Sequence, residues 1–599
     1  IIFFTLNAYA LEECNWNSKI GVPCLTISKT TNTSKYNSQG LSKEVFTKED
    51  IVKSGAKDIL DVLKKVTGLD YYQSGPKGQQ AAIFMRGSES NHSLMLLNGI
   101  AINDQSVTNG MAEFGQDFVN TIQQIEVFKG ASGAHFGPDA IGGAINFITD
   151  VDYVNSYSIN GFSFQNNSIS NNYTKITDNG WHLNFKGSSN FYKTESARTH
   201  SHEADGTRNF QVNVNGNKWL NDNLKFKSTI YYRNNKTDYD MAATTRQNSV
   251  TADNAMYVIQ AGLERNSQNS FDNLILHYHN YDRKYFVEGK KDKYYSETIT
   301  AKGEKEIVLN KKFSLGYGSE YKYDWANFET KSYSSQAKGH VSNLGIFANI
   351  GFKPNSKQIL SFHTRNDHHK LTDSNQTYKF NYLQFMGPLK LGITHSTGLK
   401  NPGLYEFYGS SSWHTGSESV DPEKSETNEL SGEYEYSNSI RFSSVAYKTK
   451  ITNRISNGKN VVGDTKQEGL ESKVTFKDED QSISLVSHFA KSRTTTGGPN
   501  SRRPDLSYGI DYLKKFNFYK FGPIELNLSH RFIGDHLDWT GSKNSFVKSV
   551  DLVDMSLRKD WFGNVLSLNF TNLLNERYEK PGTYSQEGRQ VSFGLRRLY

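Results

Sequence analysis

The residues able to do covalent or metal chemistry are few in this chain and poorly arranged for it. Its two cysteines, Cys14 and Cys24, lie close together near the start. Zinc or an iron–sulfur cluster would need more ligands than these two, and no histidine lies near them. An exported pair this close could form a small disulfide loop, with two free thiols as the alternative. His200 and His202 could bind a metal, but two loop histidines usually do not. No nucleophile elbow and no metal-ligand motif appears anywhere, so an enzyme is not expected and no metal site is assigned.

The elements that must position any site are indicated by composition. Hydrophobic residues make up only 36% of the 599, yet aromatics reach 13%, with 34 Tyr and 36 Phe. Mean hydropathy is −0.66. A disordered chain would lack the aromatics. A helical membrane protein would show runs of about 18 or more apolar residues, and none is found. Low hydropathy with many aromatics suits a large sheet with one apolar face and one wet face. Net charge is +7, from 69 basic and 62 acidic residues. No basic block tracks a phosphate backbone, so nucleic acid is not an expected partner.

Residues 1–10 read as the remnant of a signal peptide, with Ile1, Ile2, Phe3 and Phe4 leading to a small-x-small pattern at Ala8-Tyr9-Ala10. Residues 41–150 then read as a compact α/β domain. Ala56, Ile59, Leu60, Leu63 and Val66 recur at helical spacing, and Gly68 stands at a C′ position. Short β-like runs follow at 81–85, 94–97, 122–128 and 144–148, punctuated by glycines.

Residues 151–599 read as strands and polar loops only. Phe313, Leu315, Tyr317, Tyr321, Tyr323 and Trp325 share one face, as do Leu224, Phe226, Ile230 and Tyr232, and Ile346, Ala348, Ile350 and Phe352. The same alternation returns at Ile524, Leu526 and Leu528, and at Leu566, Leu568 and Phe570. At roughly 20 residues per strand with its connection, this region makes about 22 strands. The predicted fold class is therefore β: a transmembrane antiparallel barrel of that size in outer-membrane lipid, with the α/β domain before it. The last strand carries Val591, Phe593, Leu595 and Tyr599 on one face, with Arg597 placed to snorkel at its end.

Four motifs in the α/β domain occur in a fixed order: Ile83-Phe84-Met85-Arg86-Gly87, Leu96-Leu97-Asn98-Gly99-Ile100, Ile125-Glu126-Val127-Phe128-Lys129-Gly130, and 137–146 (GPDAIGGAIN). Together they resemble the plug signature of TonB-dependent outer-membrane receptors. Asp421-Pro422-Glu423-Lys424-Ser425 with Glu429 resembles the family's mid-barrel signature, and 572–578 with Gly588-Arg589 its C-terminal one. The resemblance implies a plug at 41–150 inside a barrel at 151–599, in the outer membrane of a Gram-negative bacterium. It also implies ligands too large or scarce for porin diffusion. With no ion gradient or ATP at that membrane, energy would come from TonB of the inner-membrane TonB–ExbB–ExbD complex. A monomer is expected.

Within the segment 11–40, Leu25, Thr26, Ile27, Ser28 and Lys29 form the candidate Ton box, whose alternation suits pairing with a partner's edge strand. An undistinguished stretch is the competing reading. In the family two plug cations face two barrel carboxylates. Arg86 and Lys129 match the cations, and Glu429 and Glu471 the carboxylates. Lys129 departs from the pattern, because an ammonium cannot fork onto a carboxylate.

Two plug loops are expected to point outward. One, 73–80, carries Gln73, Ser74, Lys77, Gln79 and Gln80; the other, 103–113, carries Asp104, Gln105, Ser106 and Asn109. Such side chains suit a large polar ligand, although loops are polar for other reasons too. The stretch from Lys400-Asn401-Pro402-Gly403-Leu404-Tyr405-Glu406 to Lys424 is most similar to the cobalamin transporters. These can use calcium, but the early barrel loop 199–206 has only two acids, so calcium is possible and not evident. No other cofactor is expected. Haem receptors are the rival, with His414 as the candidate axial ligand, and ferric siderophores stay open. An open porin fits poorly with a plug, and a signal-transducing receptor would carry an extra domain before the Ton box.

Overall fold

The computed structural model describes residues 42–599 except 164–165, 194, 200–202, 241–249, 288, 333, 412–413, 519–521 and 540–543. Residues 1–10, Cys14, Cys24, the 25–29 segment, His200 and His202 lie outside the described residues.

Twenty-two antiparallel strands form a closed barrel, each beside its neighbour in sequence. The ring shuts where the last strand, Gln590–Leu598, pairs with the first, Ser156–Ser163, placing Phe593 opposite Gly161. Closure removes free edges, which is what lets a sheet stand in lipid, where unpaired backbone groups find no water. Alternation follows from the same constraint. In strand Val250–Asn266, Tyr257 and Ile259 face outward and are half exposed, whereas Asn254, Met256 and Val258 face inward and are buried. The apolar faces at 313–325 and 346–352 look outward, as do Phe593, Leu595 and Tyr599.

The two rims differ. At one, connections are tight, as between Gly206–Asn221 and Leu224–Asp238, or between Asp373–Met386 and Leu389–Lys400. At the other, five are long: 401–422, 453–464, 494–505, 534–549 and 572–589, beside short ones such as 370–372. In outer-membrane barrels short turns face the periplasm and long loops the exterior.

The α/β region fills the lumen. Its five-stranded sheet runs in the order Lys43–Thr47, Gln124–Lys129, Gly143–Ile148, Ser93–Leu97, Ile100–Ala101, with a separate hairpin of Leu69–Gln73 and Ala81–Met85. The helical spacing from 56 to 66 yields a shorter helix, Ile59–Leu63. Asp58 caps its first turn by accepting from the Asp61 amide, and the Lys57 amide is drawn to the Asp61 carboxylate, so the helix starts late. Beyond Leu63 the chain tightens into three-residue bonds, Lys65 to Val62 and Val66 to Leu63. Leu60 and Leu63 bury themselves with Ile83, Met85, Val127 and Ile145 in one core.

Candidate functional site

Arg86 ends the strand Ala81–Met85 in a left-handed conformation, φ 52°. That turn aims its side chain at the wall. The guanidinium forks onto Glu471, Nε to Oε1 at 2.8 Å and Nη2 to Oε2 at 3.1 Å, and donates from Nη1 to Glu429 Oε1 at 2.9 Å. Its planar face lies 4.5 Å from the Tyr447 ring centre. Lys129 Nζ stands 2.9 Å from Glu471 Oε2 and 2.9 Å from Glu44 Oε1, and donates to the Thr67 carbonyl at 3.0 Å. The structure thus brings Arg86, Lys129, Glu429 and Glu471 together, all buried. Lys129 makes point contacts in place of a fork, and Glu44 is a fifth member that sequence reasoning missed. Two glycines let the carboxylates in. Cβ atoms at Gly68 and Gly130, both at positive φ, would lie 2.1 Å and 2.3 Å from Glu471 Oε1 and Glu429 Oε1. Charges this deep are stable only when paired, and removing one partner typically costs about 3–5 kcal/mol.

More ties join plug and wall. Arg233 Nη1 is 3.2 Å from Asp117 Oδ2, and the Tyr231 hydroxyl donates to Asp117 at 2.8 Å. His92 pairs with Glu423 at 2.5 Å. Arg233 was legible as a cation at an inward-facing position of strand Leu224–Asp238, opposite in parity to Ile230 and Tyr232.

The two plug loops lie toward the long-loop rim, as Gln79 at Asp238 and the Lys77 amide at Glu587 mark. Lys77 is buried in an ion triad, 2.7 Å from Asp58 and 2.9 Å from Asp61. Gln73 donates to the Pro76 carbonyl, and Gln79 to the Asp238 carbonyl of the wall. Asp104 meets Arg283 at 2.8 Å, and Arg283 also donates to the Ser106 carbonyl and hydroxyl. These side chains are engaged by protein partners. Gln105 is buried too; Gln80 is exposed, and Ser74 and Asn109 are half-buried. His414 is likewise buried, its Nε2 3.0 Å from the Tyr405 carbonyl and its ring stacked on Tyr405 at 4.4 Å. As placed, its Nε2 is taken by protein and is not turned toward a haem iron.

One acidic cluster emerges that the sequence split between loops. Carboxylate oxygens of Glu203, Asp205 and Asp240 lie within 4.8 Å of one another. Burial first, then the charges of Asp240, Glu203 and Asp238, push the Asp205 carboxyl up to about 7. Three hard oxygen donors from two outer loops are the chemistry a calcium ion takes, though calcium prefers six to eight.

Comparison with known families fits this architecture. The TonB-dependent receptor plug domain matches residues 36–144. The β-barrel of TonB-dependent receptor-like proteins matches 142–573. The chain belongs to the TonB-dependent receptors. It is therefore an outer-membrane protein of a Gram-negative bacterium, in a family of receptors and transporters and not of enzymes. It is similar to the vitamin B12 transporter BtuB of Vibrio vulnificus, 24% identical over 590 residues, covering 92% of each chain. The Vibrio cholerae O395 counterpart is 24% identical over 587 residues, covering 90% of each. Among solved structures, the siderophore receptor PirA from Acinetobacter baumannii superposes with a TM-score of 0.80 at 16% identity, covering 94% of this chain and 99% of that one. A ferric enterobactin receptor (PfeA) mutant from Pseudomonas aeruginosa gives 0.78 at 16%, covering 94% and 99%. At such identities the structural likeness speaks for the fold alone.

Proposed function

We propose that this receptor imports a large, scarce metal chelate of cobalamin type across the outer membrane. The energy comes from the TonB–ExbB–ExbD complex acting on Leu25–Lys29. The observation that carries the reading is the plug fixed in the lumen by buried, forked ion pairs. A passive pore has no use for it, and an energised gate needs it. Similarity to B12 transporters over nine-tenths of the chain favours cobalamin within that class. The convergence of Glu203, Asp205 and Asp240 adds support, since cobalamin transporters can use loop-bound calcium. Arg86, Lys129, Glu429 and Glu471 act as the anchor that keeps the plug seated. The engaged Nε2 of His414 counts against the haem alternative.

A binding panel on the purified protein tests the ligand: cobalamin, haem and ferric siderophores, each with and without a calcium chelator. Cobalamin should bind most tightly and weaken on chelation; preference for an iron complex would replace the ligand and keep the importer. Deleting residues 25–29 should abolish uptake while leaving binding intact. Uptake that survives the deletion would sink energised import.

A further inference from the structure

The plug does not meet the wall evenly. Its close ion pairs reach Arg233 and Arg283 on one arc, and Glu423, Glu429 and Glu471, with Arg454 and Arg503 of the loops above them, on another. Between them, from strand Gln481–Arg493 through the closing strand Gln590–Leu598 to Asn166–Ile176, two cavities separate plug from wall. The first lies under the outer loop 572–589 and reaches Tyr578, Lys580 and Glu587. The second reaches Asp152 and Arg596 near the short-turn rim. They are consecutive, because Gly55, Ala56, Ser556 and Asn569 line both.

Serine and asparagine recur along the wall here, with charged side chains such as Arg531, Asp554 and Arg558 between them. Ser507 and Ser529 line the upper cavity, and Ser158, Ser170 and Ser567 the lower. These side chains are short and neutral, and they recur at every second position, as at Ser156, Ser158 and Asn160. They offer hydrogen bonds one at a time and leave room beside the plug. Lys65 approaches Asp511 across the upper part at only 3.9 Å.

The neck is Gly55, at φ +70°. A Cβ there would lie 2.7 Å from Asn569 Oδ1 and 3.6 Å from Ser556 Cβ. Gly55 belongs to a turn after helix Lys48–Lys53, held by local bonds: Ser54 N–H to the Asp50 carbonyl and Gly55 N–H to the Val52 carbonyl. Shifting this turn breaks few contacts and leaves the buried ion pairs seated.

We propose that this serine- and asparagine-lined cleft is the path of the ligand through the barrel, with the turn 54–56 as its gate. The proposal rests on the importer reading. Two engineered disulfides test it in whole cells, with Cys14 and Cys24 replaced by Ser. Gly55→Cys with Ser556→Cys pins the gate; the β-carbon separation of 3.6 Å suits a disulfide. Gly133→Cys with Thr377→Cys staples a distant wall, where a Cβ on Gly133 would lie 3.2 Å from Thr377 Cγ2. Radiolabelled cyanocobalamin binding and uptake are followed before and after reduction. The oxidised gate pair should bind normally, lose uptake and regain it with reductant, while the distant staple imports like the wild type. Undiminished uptake through the oxidised gate pair, or equal loss with both staples, overturns the path. Where the wild type prefers an iron complex, that chelate is the probe; a wild type that binds its chelate and fails to import it removes the importer reading and the path with it. Asn569→Trp fills the neck from the wall side with no substitution in the plug. It should slow uptake and spare binding, and normal uptake would again overturn the path.

Discussion

The plug and the barrel are built on one physical rule applied against opposite solvents. In the plug, Ile59, Leu60, Leu63, Ile83 and Val127 are shielded from solvent, as in any water-soluble domain. In the barrel the pattern is inverted. Ile230, Ile346 and Leu430 are more than half exposed, while Asn209, Gln211, Asn213 and Asn215 are buried. Apolar side chains go wherever their neighbour is apolar, which for the barrel means lipid. The consequence lies where the two meet. Plug surface and barrel lumen are both polar, so much of what joins them is charge and hydrogen bonding, which can be local, directional and released piecemeal.

The strongest way to break that comparison is to remove the central cation. Arg86→Ala leaves Glu429 and Glu471 facing each other with Lys129 and few other donors. We expect the plug to lose about 3–5 kcal/mol, read from its hydrogen exchange and urea midpoint, with the barrel strands unchanged. Arg86→Lys, which keeps the charge and loses the fork, should lose less. Equal loss of protection in plug and barrel would show that the two are one cooperative unit.

A matched pair of truncations sharpens the same contrast. Leu60→Ala empties a site in the plug core and should cost about 2–5 kcal/mol. Leu430→Ala removes a leucine that points at lipid, where there is no packed core to leave a hole in. Its effect on barrel unfolding in vesicles should be much smaller. Comparable losses at both sites would mean that the outward face is packed against protein.

Legibility divides along the same line. The barrel could be read because period-2 alternation persists over strand after strand, and lipid enforces it without exception for backbone pairing. The plug could be read because glycines such as Gly68 and Gly130 stand where a side chain would collide with a carboxylate, so the motif carries its own steric reason. Arg86, Lys129, Glu429 and Glu471 were found through motif order, and their convergence is a long-range fact that no local pattern contains. The outward loops were less legible. Polarity at Lys77, Asp104 and Ser106 fits a ligand or a protein partner equally well, and the choice fell to Asp58, Asp61 and Arg283, which are distant in sequence. Asp240 was missed for the same reason, as it joins Glu203 and Asp205 only when two outer loops meet.

The smallest expected effect concerns how the outer edge of the plug responds to pH. Burial pushes the Glu113 carboxyl up to about 7, although the Ala81 and Gly115 amides donate to it at 2.8 Å and 2.9 Å. Its ordinary value is 4.5. Between those values the folded plug holds a proton that the unfolded chain has released. Stability from this group is therefore greatest below the ordinary value and declines as pH rises through the window, levelling off above it. Glu113→Gln keeps the shape and removes the titration. The plug of the wild type should become easier to unfold from about pH 5 to about pH 8, and the variant should show a flatter profile. The barrel carries its own raised carboxyl, Asp205, so its profile is read in an Asp205→Asn background, where it should show no matching slope. If plug and barrel midpoints move together and Glu113→Gln changes neither, the two regions share their electrostatics as well as their boundary.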